Sequence, residues 1–169
     1  MNEVLKKDMA RYGGKRMPEY QKYLRKYQGS KNPVLKQVYR FLYRRSADKC
    51  LVDMSSSVNI GDGLYIGHPF CITVNAQARI GNNCNIHKGV TIGQENRGPR
   101  KGAPIIGNCV WIGINSTVVG NITVGDDVLI APNTFVNCDI PSHSVVFGNP
   151  CIIKHRENAT EGYICNRVE

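Results

Sequence analysis

The chain has 169 residues and a mean hydropathy of −0.30, enough for one domain with an appendage. No apolar run is long enough to span a bilayer, and the formal charge of +9 comes from residues 1–50, where 14 Lys/Arg face 4 Asp/Glu. No helix-turn-helix, zinc or RNP-type signature accompanies this charge, so we expect no nucleic-acid partner. A basic segment of this kind instead favours attraction of an anionic substrate or cofactor.

The first third of the chain predicts three helices. The first covers Asn2–Tyr12 and is stopped by two glycines, and the second covers Pro18–Gln28 with proline at its first position. The third begins at the Asn32 cap and carries an apolar stripe through about Arg45. Three short helices of this kind would cover the open end of a repetitive β-structure.

A six-residue repeat organises the rest of the chain. In one uninterrupted stretch every sixth residue is aliphatic: Ile106, Ile112, Val118, Val124, Ile130 and Val136. This period fits neither an amphipathic helix nor a two-residue strand alternation. It fits a chain that turns after each hexad, so that three hexads close a triangular coil and residues about 18 apart stack. The pattern predicts a mainly β fold, a parallel β-helix.

Two interruptions of the period locate irregular segments. The phase slips by two residues between Ile72 and Val74, which predicts one lengthened side in that coil. Ile92 and Ile106 are 14 apart, so about eight extra residues must leave the coil as a loop within 94–104. Insertions in solenoids collect on one face, which is often where ligands bind.

These patterns divide the chain into three parts. We expect an N-terminal helical segment at 1–49, a β-helix at 50–154 with the inserted loop, and a C-terminal tail at 155–169. The N-terminus lacks the apolar stretch of a signal peptide. The seven cysteines include no CxxC pair and no zinc-ligand spacing, which favours reduced thiols, a cytoplasmic location and no metal site.

His68 is the candidate general base. It lies two residues after Ile66, on the coil surface, and the lengthened coil places Lys88 above it with His87 adjacent. Asp53 lies 15 residues earlier and could accept a hydrogen bond from the imidazole. An imidazole that takes the proton, oriented by a carboxylate, is a common arrangement for general-base catalysis.

At these residues the sequence resembles the bacterial serine acetyltransferases. The likeness covers roughly residues 50–154. It rests on Val52-Asp53, Ile60-Gly61-Asp62-Gly63, Ile66-Gly67-His68, Gly89-Val90-Thr91-Ile92-Gly93, Gly120-Asn121-Ile122-Thr123-Val124-Gly125 and Gly148-Asn149-Pro150. The resemblance implies a left-handed parallel β-helix and a cytoplasmic homotrimer that binds acetyl-CoA between subunits. It also implies that His68 deprotonates an acceptor hydroxyl, that Asp53 holds the ring, and that no metal takes part.

The resemblance further suggests binding residues. Pantetheine would run along the coil edge, and the matching positions are Gly93, Gly113, Ile114, Ala131 and Pro132, with Lys154 available for a phosphate. His87, Arg97 and Arg100 are the candidates for holding the acceptor.

Two departures from that family bear on the acceptor. The family has aspartate before the catalytic histidine, where this chain has Gly67, and an Arg-His pair before the loop proline, where it has Gly102-Ala103. The resemblance assigns those missing groups to the charges of the amino acid. We therefore expect an O-acetyltransferase that acts on a sugar hydroxyl, as in surface-polysaccharide synthesis, with serine O-acetylation for cysteine biosynthesis as the alternative.

Other classes with this fold fit less well. A zinc enzyme of the γ-carbonic anhydrase type needs three convergent histidines with a His-x4-His pair, which His68, His87, His143 and His155 do not supply. A non-catalytic or ice-binding β-helix carries a regular Thr-x-Thr ladder, which is absent from this sequence.

Overall fold

The computed structural model describes residues 2–169, which form three helices followed by fifteen short strands. The helices are α1 (Glu3–Arg11), α2 (Glu19–Gly29) and α3 (Pro33–Lys49). The strands are β1 (Asp53–Met54), β2 (Asn59–Ile60), β3 (Tyr65–Gly67), β4 (Thr73–Val74), β5 (Arg79–Ile80), β6 (Asn85–His87), β7 (Thr91–Gly93), β8 (Ile105–Ile106), β9 (Trp111–Ile112), β10 (Thr117–Val119), β11 (Thr123–Val124), β12 (Val128–Ile130), β13 (Phe135–Val136), β14 (Ser144–Phe147) and β15 (Ile152–His155).

The strands stack into three parallel sheets that form a prism. Sheet A contains β1, β4, β7, β10 and β13; sheet B contains β2, β5, β8 and β11; sheet C contains β3, β6, β9, β12 and β14. β15 closes sheet C by pairing antiparallel with β14. The expected left-handed parallel β-helix with N-terminal helices is confirmed.

The strand register shows both predicted interruptions. Asp53 pairs with Thr73, a coil of 20 residues, and Thr73 pairs with Thr91, a coil of 18. The next coil runs 26 residues from Thr91 to Thr117, and the one after it returns to 18. The eight additional residues leave the coil between β7 and β8, as the spacing predicts.

The repeated aliphatic residues fill the interior of the prism. The six hexad residues from Ile106 to Val136 are each at most 2% exposed. Each such side chain contributes about 1.5–3 kcal/mol by leaving water. This continuous core holds together strands of only two to four residues.

The three helices lie close to their predicted bounds. The Asn32 side chain accepts from the backbone N–H groups of Val34 and Leu35, which caps α3 as expected. Pro18 is the residue before α2 rather than its first helical residue. The apolar stripe of α3 does not face the coil: Val34 is 70% exposed and Phe41 63% exposed, and the buried residues of that helix are Tyr43 and Ala47.

A buried ion pair docks the helices on the first coil. Arg25 Nε lies 2.7 Å from Asp8 Oδ2, and both side chains are at most 2% exposed. Arg25 also donates to the carbonyls of Ile60 and Gly61, while Asp8 accepts from the backbone N–H of Leu64. These bonds fasten α1 and α2 to the strand edges of the coil.

The C-terminal tail folds back along the coil and is held by Asp127. Its carboxylate accepts from the backbone N–H groups of Ala159 and Thr160 and from the Thr160 hydroxyl. Asn83 exchanges two hydrogen bonds with Val168 further along. Among the helices of residues 2–169, none combines the length and apolar character that a bilayer crossing requires.

Candidate functional site

The turn from sheet C into sheet A recurs in each coil, at 68–72, 88–90, 113–116 and 131–134, and we call this edge the C–A corner. His68 opens the turn of the first coil, with a φ of 51°. Gly67 pairs with His87, and Ile112 pairs with Ile130. His68 therefore stacks below Lys88, as the lengthened coil predicts, and the column continues through Ile114 and Pro132.

His68 lies in a cleft of about 620 Å³ between the coil and the helices. The coil supplies Tyr65, Gly67, His68, Phe70 and His87, while the α1–α2 connection and the end of α3 form the opposite wall. Lys15, Arg16 and Lys49 line that wall with one acid, Glu19. Arg16 pairs with Glu19, which leaves Lys15 and Lys49 as the unbalanced charges, so the cleft suits an anionic ligand.

His87 is held rigidly in the same cleft. Its Nδ1 lies 2.8 Å from the Ile112 carbonyl, and its ring packs 4.6 Å from the Trp111 ring, centre to centre. Burial lowers the pKa of His87 below its ordinary value, and the neighbouring His68 adds to this effect against the carbonyl hydrogen bond. His87 is therefore neutral at physiological pH.

Asp53 lies on the other side of the corner. It begins β1 in sheet A and lines a separate cavity of about 550 Å³ with Arg40 and Arg44. Within residues 2–169 no hydrogen bond joins Asp53 to His68, so the expected contact is absent from the single chain. The reason is geometric: His68 faces the cleft on the sheet C side, while Asp53 projects from sheet A. The roles assigned to these two residues stay predictions.

Most of the predicted cofactor-binding positions lie along the C–A corner. Gly113 and Ile114 follow β9, and Ala131 and Pro132 follow β12 directly above them. Lys154 lies on β15 opposite Val145, with its Nζ 5.7 Å from the centre of the Phe147 ring. At about 4.8 Å per coil, this strip extends about 14 Å from His68 to Pro132.

The remaining predicted positions lie at the turn from sheet A into sheet B, at 75–78, 94–104 and 120–122, which we call the A–B corner. Gly93 ends β7 at this corner, and the inserted loop with Arg97 and Arg100 follows it. The loop folds onto the next coil, because the Arg100 carbonyl accepts from Asn121 N–H at 2.8 Å. Sheet A separates these three residues from His68 in the same chain. His87 alone of the predicted acceptor-binding residues shares the His68 cleft.

Comparison with known proteins identifies the β-helix. The family model described as bacterial transferase hexapeptide (six repeats) matches residues 103–138. The serine acetyltransferase of Helicobacter pylori is 35% identical over 98 residues, which cover 58% of this chain and 57% of that protein.

Solved structures extend the likeness over most of the chain. The Brucella abortus serine acetyltransferase is 26% identical with a TM-score of 0.71, over 90% of this chain and 68% of that one. The Neisseria gonorrhoeae serine acetyltransferase in complex with serine is 26% identical with a TM-score of 0.69, over the same shares. The chain therefore carries the bacterial transferase hexapeptide repeat and is similar in sequence and fold to serine acetyltransferases.

This hexapeptide-repeat protein spans little more than half the length of the Helicobacter pylori relative.

The basic wall of its cleft is the part of the site that sequence reasoning missed. Lys15 and Arg16 lie in the α1–α2 connection and Lys49 ends α3, so all three reach the cleft only through helix docking. The excess of basic residues before residue 50 was the only sequence signal for them. Within residues 2–169 no group of three or more His, Cys, Asp or Glu side chains is arranged to hold a metal ion.

Proposed function

We propose that this chain is an acetyl-CoA-dependent O-acetyltransferase whose acceptor is serine. The observation that carries the proposal is the position of His68, which opens onto a cleft of net positive charge in a chain whose relatives are serine acetyltransferases. The Neisseria gonorrhoeae relative has been solved with serine bound. A cleft that combines a histidine base with cationic side chains suits an acceptor that carries a carboxylate.

His68 is the proposed general base. Its imidazole takes the proton of the acceptor hydroxyl while the oxygen attacks the thioester carbonyl. The new C–O bond gives a tetrahedral oxyanion, which then collapses with cleavage of the C–S bond while the imidazolium gives its proton to the departing thiolate. Backbone N–H groups at the corner are suited to stabilise the oxyanion.

Acetyl-CoA would lie along the C–A corner above His68. The strip offers small residues at Gly113 and Ala131, which leave backbone groups accessible to an extended chain, and a cation at Lys154 for a phosphate. Gly93, Arg97 and Arg100 would have to come from the A–B corner of a neighbouring copy. A cyclic homotrimer sets one corner of a subunit against a different corner of the next, as this assignment requires.

The comparisons favour serine over the sugar acceptor that the sequence suggested. Gly67 and Gly102-Ala103 remain departures from the family pattern, and Lys15, Arg16 and Lys49 supply cationic groups in the cleft. We also propose a cytoplasmic location, with which seven free thiols are compatible.

Acetyl transfer to a panel of hydroxyl acceptors tests the proposal. The purified protein is incubated with acetyl-CoA and either L-serine or a hexose, and O-acetyl products are measured by mass spectrometry, because the seven free cysteines would react with thiol reagents. We expect O-acetylserine to form faster than any sugar ester. A product found only with sugars would overturn the choice of serine, and CoA release equal to that without acceptor would overturn the transferase itself.

A further inference from the structure

Gly67 and His87 share one space in the cleft. A Cβ placed on Gly67 would lie 2.5 Å from His87 Cδ2 and 2.7 Å from His87 Nε2. Atoms in proteins do not approach this closely without a shift, so even an alanine at this position would displace the imidazole. The φ of Gly67 is not in the left-handed region, so the backbone itself does not require glycine. The packing of the His87 ring is what excludes a side chain there.

The tautomer of His87 is fixed by its neighbours. Nδ1 faces the Ile112 carbonyl, which can only accept, so Nδ1 carries the proton of the neutral ring. Nε2 then keeps its lone pair, and it makes no hydrogen bond within residues 2–169. The ring is clamped between Tyr65, at 6.5 Å, and Trp111, at 4.6 Å, measured between ring centres. The ring borders two cavities, and its Nε2 lies beside Gly67, which lines the cleft that His68 shares.

We propose that His87 Nε2 binds the acceptor by accepting a hydrogen bond from a second donor group beside the reacting hydroxyl, and that Gly67 admits the ring to this position. The inference rests on the proposed function and adds the chemistry of recognition. The ligand class is a hydroxyl compound with a neighbouring donor, either an ammonium group, as in serine, or a second hydroxyl, as in a sugar diol. A hydroxyl compound without that donor leaves Nε2 unpaired and binds more weakly.

The state of His87 can be measured without activity. Trp111 is the only tryptophan in the chain and packs against the imidazole, so its fluorescence reports protonation of the ring. The other titratable or charged groups that line the two cavities beside His87 are Arg11, Tyr12, Lys15, Arg16, Glu19, Tyr20, Lys49, Cys50, Tyr65, His68, Tyr163 and Cys165. Because burial lowers the pKa of His87 from 6.5, we expect a fluorescence transition below pH 6.5. The transition should persist in His68→Asn and vanish in His87→Gln. A transition above pH 6.5, or one lost with His68, would overturn the assignment.

Acceptor kinetics test the hydrogen bond itself. His87→Phe keeps an aromatic ring between Tyr65 and Trp111 but has no lone pair, and we expect the KM for serine to rise about tenfold with the KM for acetyl-CoA unchanged. His87→Gln places an amide oxygen near the site of Nε2 and should restore part of the loss. Gly67→Ala should raise the same KM, because it displaces the ring while leaving the imidazole in place.

The acceptor series separates this inference from the proposed function. The wild type should prefer serine to 3-hydroxypropionate, which lacks the second donor, and His87→Phe should reduce that preference to near unity. The same comparison with a hexose and its deoxy analogue identifies a diol as the donor source. A wild type that acetylates no acceptor would overturn the proposed function and this inference together. An active wild type whose acceptor preference is unchanged in His87→Phe would overturn the inference alone.

Discussion

His68 can be tested as the general base with a substitution that respects its backbone. Its φ of 51° lies in the left-handed region, where asparagine is tolerated better than alanine. We expect His68→Asn to lower kcat by about 10²–10⁴ while the melting temperature stays unchanged. His143→Asn is the matched control, because His143 has a φ of 57° and lies outside the cleft. Full turnover in His68→Asn would move the role of base to His87.

Asp53 gives a smaller expected effect. Asp53 does not contact His68 in the single chain, so Asp53→Asn tests the orienting role that the resemblance implies. If Asp53 has that role, kcat should fall by less than in His68→Asn, because a misoriented imidazole still accepts a proton. The loss should appear in kcat rather than in the KM for acetyl-CoA. A change in that KM with normal kcat would instead assign Asp53 to its own cavity with Arg40 and Arg44.

At the residue scale, the sequence predicted which residues stack on one another better than it predicted the direction of their side chains. The length of the first coil was enough to place His87 next to Gly67, because stacking follows from residue offsets alone. The direction of the His68 ring could not be read in this way, since it depends on a left-handed φ at a corner. The expected Asp53 contact was therefore not found in the single chain.

At the element scale, the docking of α1 and α2 depends on the buried Asp8–Arg25 pair. Asp8→Ala leaves the buried Arg25 guanidinium without its carboxylate, and such changes cost about 3–5 kcal/mol. We expect this loss in the free energy of unfolding, measured in urea. Transfer activity should fall as well, because α1 and α2 carry one wall of the cleft. The exposed pair of Arg16 and Glu19 provides the contrast, and Glu19→Gln should leave the unfolding midpoint unchanged.

The tail is held by a carboxylate whose pKa is lowered. Burial alone would raise the pKa of Asp127, but hydrogen bonds from Thr160, His143 and Ala159 outweigh it and bring the pKa below its ordinary value of 3.8. Stability from a lowered carboxylate pKa is fully present above 3.8 and is lost as the pH falls through the folded-state value. We therefore expect hydrogen-exchange protection of residues 159–168 to decrease below pH 3.8. Asp127→Asn should show weak protection already at pH 7, and equal protection in both proteins would contradict this role.

The strands could be predicted from the repeat and the helices from their caps, but the packing of α3 and the course of the tail could not. The spacing of the hexad residues predicted the strands, the lengthened first coil and the inserted loop, because each aliphatic residue must face one narrow core. The stripe of α3 has the same apolar character but lies on the outer side of the α2–α3 pair, since Tyr43 and Ala47 take the contact with the coil. The tail has no periodicity, and its course depends on single hydrogen bonds to Asp127 and Asn83.

At the scale of the whole molecule, the proposed site is divided between two corners of the prism. His68 and His87 lie at the C–A corner, while Arg97 and Arg100 lie in the loop at the A–B corner. Arg100 is also held to its own corner by an ion pair with Glu95 at 3.3 Å. If both sets act on one substrate, they must come from different copies of the chain.

Deletion of residues 97–101 should impair binding without unfolding the coil. The loop lies outside the continuous core, so we expect the melting temperature to stay close to that of the wild type. The KM for serine or for acetyl-CoA should rise instead. A collapse of the melting temperature would show that the loop supports the coil.

Mixing two impaired variants tests whether the loop acts on a neighbouring subunit. His68→Asn and the 97–101 deletion are co-expressed with different tags, and mixed oligomers are isolated by tandem purification. In a trimer with the loop acting between subunits, a mixed assembly contains one site in which His68 and the loop are both intact, because each site draws on two chains. We therefore expect the mixed trimers to acetylate serine faster than either parent. Activity can rise only through a site shared between subunits, because every chain in the mixture lacks either His68 or the loop. Mixed trimers no more active than their parents would show that the loop serves its own chain, and a monomer in sedimentation would exclude the shared site.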